Sequence, residues 1–404
     1  MRLSNSLFSS FAALCTALVF LAAAPLHAQQ RLAAGAAFSV AVVADQVWTW
    51  GGNQRGTLGN TGFMPQSTPQ SLYALHQVAT VSAGWSHALA VGQDGSLWVW
   101  GLNDSGQLGL GFWPGYVFPI LSPDMQVRRA PVQLEKMRNI VAVAAGAAHS
   151  LAVDGRGHVW VWGLNADGQL GLGNHDTKWT PTQNPFLQDI VAIAAGRAHS
   201  LALDSHGALW AWGGNESGQL GIDGMAESQL PIRVDLPVAM KVIAAGGDFS
   251  LGIGLEDGMA WSWGANNRGQ LGQGDTAGSA YPRTIAGAQG VMCIAAGIAH
   301  GLAVLADGTL WGWGENGAGE VGVSEPAQIS VPQKIVGLDH VVEVAAGAEH
   351  SIARTADGQL WAFGRNQFMQ LGNGTGLDQW GSDLPVPVCP GLLPGERCSV
   401  VNKP

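Results

Sequence analysis

Short apolar runs recur along this chain at a nearly constant distance, and the same polar signals follow each of them. In one unit the run 140–145 ends at Gly146, and a second run begins at His149. A third run carries the pattern Trp-x-Trp-Gly and leads into Asn-x-x-Gly-Gln-Leu-Gly. Short apolar runs bounded by turn residues are typical of β-strands. The pattern predicts antiparallel strands, for example at 150–153 and 159–162, joined by tight turns.

Four units place an Asp-Gly dipeptide between the second and third runs. The pairs are Asp94-Gly95, Asp257-Gly258, Asp307-Gly308 and Asp357-Gly358. Because this dipeptide tolerates positive φ at both positions, we predict type I′ hairpins there.

The unit occurs seven times. Its Ala-Gly glycine stands at Gly35, Gly84, Gly146, Gly196, Gly246, Gly297 and Gly347, with spacings of 49, 62, 50, 50, 51 and 50 residues. A period near 50 residues indicates a repeat architecture in which each unit is one small sheet. One such sheet cannot bury two broad faces alone, and stacking seven of them radially leaves no exposed end. We therefore predict an all-β fold, a seven-bladed β-propeller of antiparallel four-stranded blades.

Two aromatic residues of each unit are separated by one position on the third run. The pairs are Trp48/Trp50, Trp98/Trp100, Trp160/Trp162, Trp210/Trp212, Trp261/Trp263, Trp311/Trp313 and Trp361/Phe363. Side chains two positions apart on a strand lie on the same face. We expect both members of each pair to be core between neighbouring blades, which leaves little prospect of a binding stripe there.

The phrase Ala-Gly-x-x-His-Ser-Leu-Ala, combined with Trp-Gly-x-Asn-x-x-Gly-Gln-Leu-Gly, resembles the regulator of chromosome condensation repeat over residues 31–372. The resemblance implies a seven-bladed propeller whose ring closes by combining N- and C-terminal strands in one blade. The first unit lacks the Pro-containing strand that leads into other units, and the tail offers one at 385–388. We expect one propeller domain over 29–404, with 373–404 as its closing segment. Departures from the repeat are Phe38 and Phe249 in place of His, Met369 in place of Gly, and Val321 in place of Leu.

Charge and the N-terminal segment suggest where the protein works. The chain has 29 acidic and 19 basic residues, a net charge of −10, and so lacks the basic patch that nucleic-acid binding needs. Residues 1–28 have the layout of a secretory signal peptide, with Arg2, an apolar run and Leu26-His27-Ala28 at the cleavage site. We expect a bacterial exported member of the family, secreted or periplasmic, monomeric, and without stable membrane insertion of the mature chain.

Three cysteines remain after cleavage at Ala28. Cys389 and Cys398 lie close together in the tail, and an oxidising compartment favours a disulfide between them. Cys293 follows apolar residues in a predicted strand, so we interpret it as a buried, inert thiol.

The repeat also places histidines at one equivalent position in five units, where they could form a metal site. His87, His149, His199, His300 and His350 occupy one equivalent position and could together bind a metal. Phe38 and Phe249 occupy the same position in two units, however, which favours packing against the next blade. The Asn of each unit suits a turn. No catalytic or cofactor motif recurs, so the sequence predicts no enzyme activity, no cofactor and no metal.

Function should lie where one unit departs from the others. The extra residues of the second unit fall within 110–129 and include the aromatic residues Phe112, Trp113, Tyr116 and Phe118. Such a loop either binds a partner or folds back over one propeller face. Trp85, Trp179 and Trp380 also lie outside the Trp-x-Trp motif and are candidate partner-binding residues. Trp179 and Trp380 each follow their unit's last Leu-Gly by eight residues, so we expect them at equivalent positions.

These observations favour an exported, non-catalytic scaffold that binds an unidentified extracytoplasmic protein. An inhibitor of a secreted enzyme or a cell-envelope interaction module would be concrete forms of it. The alternative, implied by the resemblance, is guanine nucleotide exchange on a small GTPase.

Overall fold

A computed structural model describes residues 30–111 and 126–389, and within these ranges 28 strands form seven four-stranded antiparallel sheets. Blade 1 contains β1 (Leu32–Ala34), β2 (Phe38–Val43), β3 (Gln46–Gly51) and β4 (Gln66–His76). Blade 2 contains β5 (Val78–Ala83), β6 (His87–Gly92), β7 (Leu97–Leu102) and β8 (Val127–Gln133). Blade 3 contains β9 (Ile140–Ala145), β10 (His149–Asp154), β11 (Val159–Gly163) and β12 (Lys178–Gln183). Blade 4 contains β13 (Ile190–Ala195), β14 (His199–Asp204), β15 (Leu209–Gly214) and β16 (Glu227–Arg233). Blade 5 contains β17 (Met240–Ala245), β18 (Phe249–Gly254), β19 (Ala260–Gly264) and β20 (Ser279–Thr284). Blade 6 contains β21 (Val291–Ala296), β22 (His300–Leu305), β23 (Leu310–Glu315) and β24 (Gln328–Lys334). Blade 7 contains β25 (Val341–Ala346), β26 (His350–Thr355), β27 (Leu360–Arg365) and β28 (Gly381–Pro387).

The sheets form a closed ring, which confirms the predicted seven-bladed propeller. The first strand of each blade is innermost, and β1 contacts β25 and β26, so the last blade packs against the first. The hydrophobic core lies between blades: one buried cluster joins Phe38 of blade 1 to Trp100 of blade 2, and another joins Leu32 to Ile352 across the seam.

The second aromatic of each Trp-x-Trp pair is the main core residue. It is fully buried in all seven blades. In the six blades where it is Trp, its indole Nε1–H donates to a carbonyl of the preceding blade, as from Trp100 to Thr57 over 2.8 Å. The first tryptophan is only half-buried in six blades, Trp261 being the exception. The expectation that both members are core is met in full by the second aromatic and in part by the first, because the first indole packs on the core but lies beside the hairpin turn at the edge of the interface. Trp98, for example, donates to Ser96 Oγ in that turn.

Ring closure differs from the expected shared blade. Each sheet is built from four consecutive strands, and blade 1 has both its own inner strand β1 and its own outer strand β4. The tail strand β28 pairs with β27, with Trp361 opposite Pro387. The Pro-containing strand of each unit thus completes the blade before it rather than leading into the blade after it. No position in blade 1 was left for the tail to fill.

The Asp-Gly hairpins also differ from the predicted type I′ turns. At Asp94-Gly95 only the glycine has positive φ (76°), and Gly92 and Ser96 close a three-residue loop through a 2.9 Å hydrogen bond. The side chain of Asp94 also stabilises this loop, because its Oδ1 accepts the Ser96 N–H. This geometry matches a type I turn followed by a left-handed residue. Two consecutive positive φ values occur at Ala44 (49°) and Asp45 (63°), in the two-residue loop between β2 and β3.

Candidate partner-binding face

Antiparallel strand order places two sets of connections on the same side of the ring. These are the loops between the first and second strands of each blade and the longer loops between the third and fourth strands. We call this side the loop face and the opposite side, with the Asp-Gly turns, the hairpin face. The loop face carries the departures from the repeat, so it is the candidate functional surface.

The longer loops of the loop face are held rigidly by the repeated Asn. In all seven copies its Oδ1 accepts the N–H of the residue five positions later, as from Leu170 to Asn165 over 2.9 Å. The motif glutamine then fixes the loop to the next blade: the carbonyl of Gln107 accepts both Trp162 Nε1–H and Ser150 Oγ–H at 2.8 Å. The structural role predicted for Asn is confirmed, because its side chain fixes the start of each longer loop.

The histidine ring is buried between blades. All five imidazoles are 0% exposed, and the Nε2 of each lies 2.9–3.0 Å from a serine Oγ of the next blade. That hydroxyl already donates its proton to a main-chain carbonyl, as Ser150 does to Gln107, so it accepts from Nε2–H. Each histidine is therefore the neutral Nε2–H tautomer, and Nδ1 has no hydrogen-bond partner. The predicted packing role is confirmed.

Burial also sets the charge of these histidines. It lowers the pKa of His87, His199 and His300 to about 4, and the pKa of His149 and His350 to about 3. Among residues 30–111 and 126–389, no three or more His, Cys, Asp or Glu side chains are grouped so as to hold a metal ion.

The repeated Ala-Gly glycines narrow the central channel near the loop face. A Cβ at Gly146 would lie 2.6 Å from the carbonyl oxygen of Gly196 and 2.3 Å from His149 Cε1, so only glycine fits this ring. Hydrogen bonds join neighbouring blades there, including Arg197 N–H to Gly246 O at 3.2 Å. The space at the ring is about 70 Å³, and the wider part beyond it, about 510 Å³, is lined mainly by small apolar residues.

The candidate partner-binding tryptophans differ in their exposure to solvent. Trp85 lies in the loop between β5 and β6 and is 44% exposed, whereas Trp179, in β12, is half-buried beside Gly106. Trp380 precedes β28 and is 73% exposed. Phe112, Trp113, Tyr116 and Phe118 lie outside the described residues, in the connection between β7 and β8.

Trp179 and Trp380 are not equivalent, contrary to the expectation from their spacing. The position of Trp179 against the preceding loop is taken in blade 7 by Asp383: the two Cα atoms lie 3.1 Å and 2.6 Å from where a Cβ would stand at Gly106 and Gly319. Gly372 and Asp383 are 11 residues apart, against eight for Gly171 and Trp179. The seventh loop is therefore three residues longer, and Trp380 takes the repeat position that lies three residues before the one held by Trp179.

Beside Trp380 the loop face contains a cleft of about 740 Å³ across blades 5, 6 and 7. We call it the acidic cleft; its charged lining residues are Asp248, Arg268, Glu315, Glu320, Glu349, Arg365 and Asp383. Arg268 Nε lies 3.0 Å from Glu315, and Arg365 pairs with Glu349. Asp248 pairs with Arg197 at 2.8 Å.

Sequence reasoning missed Glu320, although a signal was present. It stands where five other units have Gln and the first has Thr57. Its side chain is buried, at 3% exposure, and its Oε2 accepts the Ala318 N–H at 2.8 Å. Burial raises the pKa of Glu320, and the nearby carboxylates of Glu315 and Glu349 raise it further, against its backbone hydrogen bonds.

The cysteines partly follow expectation. Cys293 is a free thiol, half-buried in β21, and burial raises its pKa to about 11, so it is protonated and unreactive at neutral pH. Cys389 is buried and disulfide-bonded. Cys398 lies outside the described residues, so the pairing of Cys389 with Cys398 stays a prediction. The signal segment 1–28 also lies outside them. No helix in the described part of the chain is long and apolar enough to cross a membrane.

Seven four-stranded blades in a closed ring define a repeat β-propeller. Its departures from the repeat lie on one face, the loop face. The RCC1-like domain model matches residues 21–300, and regulator of chromosome condensation (RCC1) repeat models match 293–320, 307–354, 341–370 and 357–401. The chain belongs to the RCC1-like domain family.

Related proteins support this assignment. The chain is 31% identical over 279 residues to the ultraviolet-B receptor UVR8 of Arabidopsis thaliana, covering 68% of this chain and 50% of UVR8. It is 32% identical over 266 residues to the mitochondrial RCC1 domain-containing protein RUG3 of the same plant, covering 64% of this chain and 47% of RUG3. The chain thus spans about half the length of these curated relatives. Yeast RCC1 (Prp20), solved bound to Kap60, superposes with a TM-score of 0.76 at 25% identity, covering 86% of this chain and 84% of that one.

Proposed function

We propose that this protein is an exported, non-catalytic propeller that binds a protein partner through its loop face. The observation that carries the proposal is the contrast between the two kinds of aromatic residue. The second aromatic of each pair is buried in the core, whereas Trp85 and Trp380 are exposed in loops of one face. Exposed Trp on a rigid surface is typical of interface anchors. A family relative, yeast RCC1, has been solved in complex with a protein, Kap60.

Export is supported by the signal-peptide layout of residues 1–28 and by the disulfide at Cys389, which needs an oxidising compartment. The test is N-terminal sequencing of protein recovered from a periplasmic extract and from the medium. We expect the mature chain to begin at Gln29. Recovery only in the cytoplasm, with Met1 retained, would refute export.

Binding through the loop face is tested with a photo-cross-linking amino acid placed at Trp85. The matched control is Val336, which is 77% exposed on the hairpin face between β24 and β25. We expect a discrete protein adduct from position 85 and none from position 336. Equal labelling from both positions, or no adduct from either, would contradict the proposal.

Three finer predictions remain, of which the first and the last can be tested with the same adduct. Trp113→Ala/Phe118→Ala should reduce it if the 110–129 insertion binds the partner, and leave it unchanged if the insertion packs on the propeller. Guanine nucleotide exchange stays a prediction of the family resemblance, and release of labelled GDP from a small GTPase would support it. An adduct that proves to be a secreted enzyme, inhibited by the purified propeller, would support the inhibitor form.

A further inference from the structure

The acidic cleft carries more negative charge than its own arginines neutralise. Of its five carboxylates, Glu315 and Glu349 pair with the two arginines of the lining, and Asp248 pairs with Arg197 outside it. Glu320 and Asp383 have no cationic partner among the residues that the structure describes. For Asp383 this is unremarkable because the side chain reaches solvent. For Glu320 it is not, because the group is 97% buried.

A comparison of the seven copies shows what is missing at Glu320. In other units the glutamine Oε1 accepts the N–H two residues earlier, and its Nε2 can donate to a side chain three residues earlier. Gln107 Nε2 thus donates to Asp104 over 3.0 Å, and Gln270 Nε2 donates to Asn267 over 3.2 Å.

Glu320 keeps the first of these bonds but replaces the amide donor with a second carboxylate oxygen. The residue three positions earlier is Gly317, which has no side chain to pair with it. A buried carboxylate without a cation is costly. Glu320 also lines the cleft, so the cation can come from outside.

Trp380 lines the same cleft as this carboxylate and gives the cleft an aromatic surface. Its main-chain carbonyl accepts the Asn366 N–H over 2.7 Å, so the backbone is fixed while the indole stays 73% exposed. The residues that make the same backbone contact in other blades are Ala226, Ala327 and Gln126. An exposed indole face attracts ammonium and guanidinium groups.

We propose that the acidic cleft binds a lysine or arginine side chain of a protein partner, paired with Glu320 and lying against Trp380. The proposal rests on the proposed function, because it assigns a chemistry to part of the loop face. Charge complementarity favours a basic segment: the cleft volume of about 740 Å³ exceeds that of a single side chain, and Asp383 remains to pair with a second cation.

The probe is a fluorescein-labelled hexa-arginine peptide, with hexa-citrulline as the uncharged control of the same shape. Fluorescence anisotropy of the whole protein at low salt should show saturable binding of hexa-arginine and none of hexa-citrulline. The decisive variant is Glu320→Gln, which reproduces the residue of five other copies and should preserve the fold. The matched control is Glu216→Gln, the same charge change at an exposed position on the loop face of blade 4.

We expect Glu320→Gln to raise the Kd for hexa-arginine about tenfold, and Trp380→Ala to raise it by a factor of about three. Glu216→Gln should change the Kd by less than about twofold, because an exposed charge contributes little. Wild-type affinity in Glu320→Gln, an equal loss in Glu216→Gln, or binding of hexa-citrulline would each overturn the proposal.

The cross-linking experiment at position 85 separates this inference from the proposed function. If the adduct forms while Glu320→Gln has no effect on peptide binding, the scaffold stands and the cleft assignment falls. If the peptide binds in a Glu320-dependent way while no adduct forms from the loop face, the cleft assignment stands and the scaffold proposal falls.

Discussion

The imidazole of His350 in the last blade lies 3.0 Å, measured from Nε2, from the hydroxyl oxygen of Ser39 in the first blade. The same contact joins four other blade interfaces. Where the histidine is replaced by Phe38 or Phe249, the residue at the serine position of the next blade is Ala88 or Gly301. Histidine thus occurs with serine, and phenylalanine with a residue that has no hydroxyl, because a buried Nε2–H needs an acceptor.

This pairing predicts a measurable coupling at the interface of blades 1 and 2. Phe38→His should lower the free energy of unfolding by about 1–3 kcal/mol, because the buried N–H faces Ala88. Adding Ala88→Ser should recover about 1 kcal/mol. Urea unfolding of both single variants and the double variant measures the coupling. Strictly additive effects would show that the two positions do not form the contact seen in the other blades.

The buried histidines predict acid sensitivity. In the folded protein their pKa values are about 3 to 4, whereas in the unfolded chain the pKa is about 6.5. Between these pH values the unfolded chain therefore binds more protons than the folded protein. Their contribution to stability is complete above pH 6.5 and is lost as the pH falls towards 4. In that pH range, each histidine should lower the free energy of unfolding by about 1.4 kcal/mol for each unit by which the pH falls.

Unfolding measured between pH 6.5 and 5.5 tests this, since most carboxylates titrate at lower pH. His199→Phe should take up about one proton fewer on unfolding than wild type, while Ser250 keeps its hydrogen bond to the Gln219 carbonyl. An unchanged slope would mean that His199 is already protonated in the native protein.

At position 369 we expect the glycine variant to be more stable than the alanine variant. Its φ is +65°, and the six equivalent positions are glycines with φ between 68° and 85°. Since side chains strain the left-handed region, Met369→Gly should be more stable than Met369→Ala by about 1 kcal/mol. Thermal or urea unfolding of the two variants gives the difference. Greater stability of the alanine variant would show that the backbone leaves the left-handed region in solution.

The seam between blades 7 and 1 depends on Glu343. Its Oε1 accepts the N–H groups of Arg31 and Leu32 at 2.6 and 2.8 Å, and its Oε2 lies 3.5 Å from Arg354 Nε. Glu343→Ala should lower the free energy of unfolding by about 3–5 kcal/mol, because Arg354 loses its partner in a partly buried site.

The matched control for this seam is Cys293→Ala, at the same register one blade earlier, which should cost about 1 kcal/mol. The double variant Glu343→Ala/Arg354→Val reproduces the Ala142 and Val153 pair of blade 3 and should be more stable than Glu343→Ala alone. Equal losses in Glu343→Ala and Cys293→Ala would show that the ion pair does not hold the ring closed.

Much of the fold was predictable because each unit repeats its local signals. The period gave seven sheets, the Trp spacing gave the core face, and Phe38 in place of His indicated packing at the ring. The position of Trp380 was not predictable, since its register depends on how a loop of three extra residues meets the next blade. Glu320 could have been found by comparing the Gln position of all seven units. That no cation within 30–111 or 126–389 pairs with it depends on Gly317 and on the neighbouring blades.

By itself the sequence determined the short strands and the number of blades, because alternation and turn residues act within about 50 residues. Only the tertiary structure decided that β28 completes blade 7, that Glu343 and Arg354 seal the ring, and that Glu320 borders a cleft with Trp380. The last two relationships bring different blades together, because Glu343 also binds the main chain of Arg31 and Leu32, and Glu320 and Trp380 belong to blades 6 and 7. Burial and packing in the closed ring set them, and no local pattern encodes which groups meet there.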